Sequence, residues 1–298
     1  MRHELSYQIH CNEDFSECIS RREMIKRCAL CAAGISLGGS FLASLSGADK
    51  AIESAPSPAV FKGDAPKKIW KWSKEAYHTR KTHNKFQCGL CPNMCTLEEG
   101  DRGFCRVRVH RDGKMHTLVY GNAVALHIDP VEKKPLNHFL PGSSSFSIAT
   151  AGCNFRCLNC QNWDLSQKKP EEIARKTGPI FEDFFPEKII ELASKAKCES
   201  IAYTYSEPTI FYEYMYDTSK LAREKGIKNI WVTNGYINRG PLLEFCEYLD
   251  AANVDLKSFD DSIYRKLNAG RLQPVLDTLT TLHEQKVWFE VTNLIVPT

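Results

Sequence analysis

No stretch of this 298-residue chain interleaves lysine or arginine with aromatic side chains, and the formal net charge is only +3. A groove for nucleic acid needs such a basic track, so polymer binding of that kind is not implied. Long apolar runs are equally scarce. The one candidate, from Cys28 to about Leu45, is diluted by Gly34, Gly38 and Gly39 and is barely long enough to span a bilayer. The composition does not lack core-forming residues: 43% are hydrophobic, which is ordinary for a globular chain of this length and excludes general disorder.

What stands out is 13 cysteines. Seven of them fall into two tight groups, and spacings of two and three residues favour metal coordination over disulfides, because near neighbours bridge poorly while a soft metal takes them readily. Of the others, Cys198 and Cys246 read as small buried hydrophobes, and Cys11, Cys18, Cys28 and Cys31 lie near the amino terminus. None of the nine histidines lies within a few residues of the later cysteine group, so none is given a catalytic role.

The amino terminus reads Ser20-Arg21-Arg22-Glu23-Met24-Ile25-Lys26 ahead of the weakly apolar run, and Ser46-Gly47-Ala48 follows it. This resembles a twin-arginine export signal. Residues 1–48 are therefore expected to be a leader and 49–69, with Ala55-Pro56-Ser57-Pro58, a linker. The expected location is periplasmic or membrane-associated, or cytoplasmic if the leader does not function.

Residues 70–144 read as a Cys-rich domain of short strands, with a hairpin from Cys105 to Tyr120 turning at Asp112-Gly113. From residue 145 onward, β-rich runs at Phe146 to Ala151, Ser200 to Tyr205, Asn229 to Thr233, Ala252 to Leu256 and Val287 to Val296 alternate with helical patterns. The helices are expected at Glu187 to Lys197, Pro208 to Lys225, Pro241 to Leu249 and Asp261 to Gln285. Such alternation predicts an α/β fold, a partial (β/α) TIM-type barrel over 145–298. A fifth strand with no covering helix leads us to expect that further barrel units are missing at the carboxyl end.

The strongest motif is Gly152-Cys153-Asn154-Phe155-Arg156-Cys157-Leu158-Asn159-Cys160, directly after the first barrel strand. Three thiolates can hold three irons of a cubane cluster and leave the fourth iron open to a ligand. Loops after the strands form the working face of such a barrel. A structural zinc knuckle is the plainer alternative, although zinc sites seldom use a lone triplet. The motif resembles the cluster loop of the radical S-adenosylmethionine (SAM) superfamily, which implies a [4Fe-4S] cluster on Cys153, Cys157 and Cys160, and SAM as cofactor. Asn159 stands where the superfamily usually has an aromatic residue, so no SAM contact is assigned to it.

Later strand ends add motifs in register. Thr204-Tyr205-Ser206-Glu207-Pro208 looks like a variant of the Gly-Gly-Glu element, whose carboxylate receives the SAM ammonium; the local alternative makes Ser206 a helix N-cap and Glu207 a first-turn acid. Thr233-Asn234-Gly235-Tyr236 and Asp255-Leu256-Lys257 resemble elements of the pyruvate formate-lyase activating enzymes. The resemblance thus implies a SAM pocket lined by Ser206, Glu207, Thr233, Asn234, Asp255 and Lys257. The first group, Cys88, Cys91 and Cys95 with Cys105, has the count for a closed site, and zinc and an auxiliary iron-sulfur cluster both remain open.

This Cys-rich segment, then Asp129-Pro130-Val131-Glu132-Lys133-Lys134-Pro135-Leu136, then Pro141-Gly142 and the cluster loop, look like the AmmeMemoRadiSam system radical SAM enzymes. Residues 129–134 read equally well as a solvated connector. The resemblance implies reductive cleavage of SAM to a 5′-deoxyadenosyl radical that takes hydrogen from a substrate, with an electron donor such as a flavodoxin or ferredoxin as partner. By analogy the first guess for the substrate is a glycyl radical enzyme, which would make this an activase; a different protein or a small molecule is the second. A reading from another class is an exported, non-catalytic iron-sulfur or zinc protein acting as an electron carrier or scaffold.

Overall fold

The computed structural model describes residues 67–173 and 183–295. The expected leader and most of the expected linker lie outside the described residues; the linker's last residues fall in a short helix, Lys67–Trp70.

Six short strands follow: β1 (Lys74–Glu75), β2 (Thr79–Thr82), β3 (Lys85–Cys88), β4 (Thr96–Leu97), β5 (Arg108–Arg111) and β6 (Lys114–Thr117). They form two antiparallel sheets, β1-β6-β5 and β2-β3-β4. The β5–β6 turn is the Asp112-Gly113 pair expected from sequence, with φ of 53° and 68°, the two positive values that a type I′ hairpin requires. Neither sheet has much core of its own. Leu97, Val107 and Met115 are buried in the same apolar cluster as Phe146, Ile148 and Ile201 of the main sheet, so these small sheets are stable only as a layer against it.

The main sheet has six strands in the order β12-β11-β10-β9-β8-β7: β7 (Ala125–Pro130), β8 (Ser144–Ala149), β9 (Ser200–Tyr203), β10 (Lys228–Thr233), β11 (Ala251–Asp255) and β12 (Trp288–Thr292). Strands β8 to β12 are mutually parallel, as expected for a partial barrel. Strand β7 is a correction. The sequence reading put 125–130 in the Cys-rich segment, yet it pairs antiparallel with β8 from Ala125↔Ala149 to Pro130↔Ser144. Its polar Asp129 and terminal Pro130 hid it, and both are compatible with an edge strand.

Four helices cross between the parallel strands: α1 (Pro186–Lys195), α2 (Tyr212–Glu224), α3 (Arg239–Cys246) and α4 (Gln273–Glu284). They cover one sheet face, where Ile201, Tyr203, Trp231, Ala252 and Val254 meet Ile189, Met215, Phe245 and Leu282. Each fully buried large side chain here is worth about 1.5–3 kcal/mol. The expected single helix from Asp261 to Gln285 is also corrected. It is broken into Asp261–Ile263, a π turn Tyr264–Asn268 and α4. Ala269 is left-handed at φ 55°, Gly270 follows it, and Pro274 cannot continue a helix from its amino side.

The other sheet face is covered by the chain between β7 and β8. Ala202, Ile230 and Ala251 pack against Val131 and Leu136, so the β7–β8 connection lies across the inner face. Asn253 donates to the Pro135 carbonyl at 3.0 Å, and Glu290 accepts from the Asn137 and His138 amides, each at 2.9 Å. Residues 129–134 are not the solvated connector that one reading proposed. Lys134 is fully buried and donates to Asp129 Oδ2 at 2.6 Å, where Ser147 Oγ also donates at 2.9 Å and the Tyr205 hydroxyl joins them. Despite its burial, these donors hold the Asp129 carboxyl well below the usual range.

Candidate active site

Strand β8 carries the chain to Gly152, which only glycine can occupy. Its φ is 97°, and a Cβ there would lie 2.4 Å from the Cys105 carbonyl oxygen. The backbone next to Cys153 therefore rests on the loop of the other cysteine group.

The turn from Cys153 to Cys160 is anchored by an aromatic plug. Phe155 is fully buried, 4.8 Å from the Tyr236 ring and 6.1 Å from that of Tyr264. Room for it depends on Gly270, where a Cβ would come 2.3 Å from the Phe155 ring. The π turn completes the anchor, because the Arg156 and Leu158 amides donate to the carbonyls of Asn268 and Leu267, both at 2.9 Å. The break in the expected helix thus serves the cluster loop: a continuous helix would have consumed those carbonyls internally.

Each sulfur of the triplet meets a polar group. The Phe155 amide donates to Cys153 Sγ at 3.3 Å, Asn268 Nδ2 to Cys157 Sγ at 3.1 Å, and Cys160 Sγ lies 3.1 Å from Ser166 Oγ. Asn234 Nδ2 reaches Cys153 Sγ at 3.9 Å and Asn154 Oδ1 at 2.8 Å. Burial, with the Glu207 carboxylate nearby, pushes the Cys153 thiol far above its ordinary pKa. Iron binding must therefore expel a proton, and the amide donors are placed to stabilise the thiolate that results. Three thiols on one loop, all free of disulfides, match the ligand count of a cubane cluster that keeps one iron open.

The residues expected to line a SAM pocket fall at the carboxyl ends of β9, β10 and β11. Glu207 is 3% exposed. Its Oε1 accepts from the Thr209 amide at 2.9 Å, Thr209 Oγ1 at 2.6 Å and Thr233 Oγ1 at 2.8 Å; its Oε2 accepts from the Asn234 amide at 2.8 Å. Glu207 itself, not Ser206, is the N-cap of the 3-10 turn Pro208–Phe211. Capping leaves Oε2 with capacity for one further donor. Ser206 Oγ is buried without a hydrogen-bond partner among the described residues, an orphan that a ligand hydroxyl or amine would satisfy. Thr233 and Asn234 join this network, which ends on Cys153.

Asp255 and Lys257 form their own pair. Lys257 Nζ donates to Asp255 Oδ2 at 2.9 Å, and its amide donates to the Tyr264 hydroxyl at 3.0 Å. Burial disfavours the ammonium, but Asp255 and Cys157 outweigh it and raise its pKa above the ordinary lysine value. A fixed positive charge thus stands beside the second cysteine of the triplet. Asn159 is exposed.

Sequence reasoning missed Asn154, Arg156 and Asn268. Asn154 clamps the cluster loop to the end of β10, donating from Nδ2 to the Tyr236 carbonyl at 2.8 Å. Its signal was faint, a polar residue directly after the first cysteine. Asn268 had a clearer one, because Asn-Ala-Gly inside a helical pattern marks a stop.

The other group is built differently. Cys88, Cys91, Cys95 and Cys105 line one cavity with Leu90, Leu97 and Ile210. Arg108, fully buried, donates to Cys88 Sγ at 3.2 Å and pairs with the buried Glu213.

Residues 147–297 match the model of the Radical SAM superfamily. An uncharacterized protein of Methanocaldococcus jannaschii is 45% identical over 221 residues, which cover 74% of this chain and 64% of that protein. A second protein of that organism, named as a glycyl-radical enzyme activating enzyme, is 27% identical over 161 residues, 52% of this chain and 57% of its own length. The chain thus spans less than two thirds of either relative. Among solved structures, a domain of pyruvate-formate lyase-activating enzyme from Bacteroides vulgatus is 17% identical with a TM-score of 0.31, over 32% of this chain and 60% of that one.

Proposed function

Because this chain belongs to the radical SAM superfamily, we propose that it binds SAM at the carboxyl ends of β8 to β11 and uses it to abstract hydrogen from a protein substrate. The observation that carries the reading is the continuous polar network from Glu207 through Thr233 and Asn234 to Cys153. It joins the residues assigned to SAM to the residues assigned to iron, which a simple electron carrier does not need.

The bound cluster and SAM supply the radical chemistry, a reductive cleavage to methionine and a 5′-deoxyadenosyl radical. The chain's own groups bind and orient. Ser206 Oγ and the free capacity of Glu207 Oε2 would receive the ammonium of the methionyl moiety, a charge-complementary contact in a buried site. Lys257, held by Asp255, would supply positive charge for the methionyl carboxylate. Asn268 and the Phe155 amide stabilise the thiolates. The likeness to a protein named as a glycyl-radical enzyme activating enzyme supports a protein as the substrate class. Exposed Leu158, Trp163 and Leu267 around the cluster loop suit that class, since Leu158 is 78%, Trp163 59% and Leu267 40% exposed.

The test is anaerobic reconstitution with iron and sulfide, followed by SAM titration read in the low-temperature EPR spectrum of the reduced cluster. SAM should change that spectrum and yield 5′-deoxyadenosine on turnover. A spectrum indifferent to saturating SAM would end the proposal.

A further inference from the structure

We infer that Tyr205 is a positioning residue for SAM: the buried Asp129–Lys134 pair holds its hydroxyl on the inner sheet face, and that anchor keeps the left-handed backbone that sets Ser206 and Glu207 in place. The corner is short. Strand β9 ends at Tyr203, the Thr204 amide still donates to the Ile148 carbonyl at 3.0 Å, and by Glu207 the chain has become the N-cap of the 3-10 turn. Tyr205 makes the bend between them, with φ 62°. A left-handed backbone crowds a Cβ, and at an aromatic residue it persists only where the surroundings fix it.

Both ends of the residue are held. The hydroxyl donates to Asp129 Oδ2, the atom that also accepts from Lys134 Nζ at 2.6 Å and Ser147 Oγ at 2.9 Å. Lys134 Nζ lies 3.4 Å from the hydroxyl and 4.5 Å from the ring centroid, and the His127 ring meets the tyrosine edge-on at 5.6 Å. Burial and the Asp129 carboxylate push the hydroxyl well above its ordinary pKa, so it stays a donor, while Asp129 stays ionised as its acceptor. At the other end, the Tyr205 carbonyl accepts from Asn162 Nδ2 at 2.9 Å. Asn162 follows directly on the cysteine triplet: its own carbonyl accepts from Ser166 Oγ at 2.9 Å, and that oxygen lies 3.1 Å from Cys160 Sγ.

Stability alone accounts poorly for this network. The desolvation of a fully buried ammonium often exceeds its attraction to its partner, and apolar side chains of similar size serve a core at least as well. Val131, Leu136, Ala202 and Ile230 already form such an apolar cluster on this face. What an ion pair adds is direction. Lys133, Lys134 and Ser147 belong, like Asp129, to β7, β8 or their connection, whereas Tyr205 reaches in from the end of β9. Tyr205 is also the residue that precedes Ser206, whose buried Oγ has no hydrogen-bond partner among the described residues, and Glu207 comes next. The segment from Asp129 to Lys134 thereby acts on SAM through one side chain, without touching it.

This inference rests on the SAM-binding reading, and the experiment separates the two. The full chain is reconstituted anaerobically as wild type, Tyr205→Phe, Tyr205→Gly and Asn162→Ala. SAM affinity is titrated through the EPR spectrum of the reduced cluster, and urea unfolding gives the stability of the same preparations. Tyr205→Phe keeps the ring and the crowded bend without the anchor, and should bind SAM about tenfold more weakly, the ordinary size of a lost hydrogen bond to a charged group. Tyr205→Gly adopts the left-handed backbone freely and should recover part of that loss, although its larger cavity makes it the less stable of the two. The two orders therefore cross: Tyr205→Gly binds SAM more tightly than Tyr205→Phe and unfolds at lower urea. A tyrosine that only fills space would make binding follow stability; that result, or wild-type affinity in Tyr205→Phe, overturns the inference. Should Tyr205→Phe fail to fold, Asn162→Ala decides, because it removes the donor to the Tyr205 carbonyl. It should keep its cluster iron and bind SAM several-fold more weakly, and unaltered affinity refutes the inference. A wild-type spectrum indifferent to SAM overturns the SAM-binding reading and the inference with it, whereas SAM binding by wild type and equally by Tyr205→Phe overturns the inference alone.

Discussion

The two cysteine groups touch, yet their surroundings are opposite. Cys153, Cys157 and Cys160 lie in a polar cradle where Asn154, Asn234 and Asn268 supply amides and Lys257 a fixed charge. Cys88, Cys91, Cys95 and Cys105 share an apolar cavity in which Arg108 is the charged wall. Three thiolates with polar neighbours can keep one side open to a charged ligand, whereas four thiolates in an apolar wall close the site. The difference teaches that ligand count and environment were matched. An open metal site needs hydrogen-bonding groups for what binds it, and a closed one needs only charge compensation and exclusion of water.

The largest expected effect breaks one side of that comparison alone. Cys157→Ala should reduce 5′-deoxyadenosine formation to background while metal bound by the other group is retained. Chromatography of the product and metal analysis of the same sample check both halves, and unaltered product would remove Cys157 from the cluster.

Next comes the opposite side. Arg108→Met leaves Glu213 buried without its partner, and breaking a buried pair in this way costs about 3–5 kcal/mol. The urea midpoint should fall accordingly, together with loss of metal from the Cys88 group before the other. A variant as stable as wild type would mean that Arg108 and Glu213 are not paired as described.

The contact between the groups is probed by Gly152→Ala. A methyl group 2.4 Å from the Cys105 carbonyl at φ 97° forces the loops apart, with a stability loss of roughly 2–3 kcal/mol from strain. Equilibrium unfolding measures the loss. A neutral substitution would show that the loops are not in contact in solution.

The smallest effect sharpens the cradle. Asn268→Ala removes the donor to Cys157 Sγ and should lower the reduction potential of the radical cluster, because a hydrogen bond to the thiolate stabilises the reduced, more negative state. Asn268→Asp should lower it further. Redox titration followed by EPR reads the shift, and an unchanged potential in both variants would assign Asn268 to holding the loop backbone only.

How much of this was legible in advance differs element by element. The Asp112-Gly113 hairpin was readable because its turn type is set by two local backbone angles. Strands β8 to β11 were readable because burial on both faces leaves continuous apolar runs such as Ser200–Tyr203. Strand β7 was not, since an edge strand with a buried ion pair carries no apolar pattern. Nor was the π turn at Tyr264–Asn268, whose departure from helix is stabilised by amides from the cluster loop more than a hundred residues earlier.

The sequence by itself determined the chemistry that could be present. Cysteine spacing is a local property, and CxxxCxxC after a strand specifies a three-thiolate loop wherever the rest of the chain goes. Only the tertiary structure decided what those thiolates face. Asn234, Asn268 and Lys257 lie roughly a hundred residues from Cys157 along the chain and beside the cluster loop in space, and Cys105 comes to rest against Gly152 as the small sheets bury Leu97, Val107 and Met115 in the main core. Side-chain type is written in the residues; proximity is set by packing, which depends on every element at once.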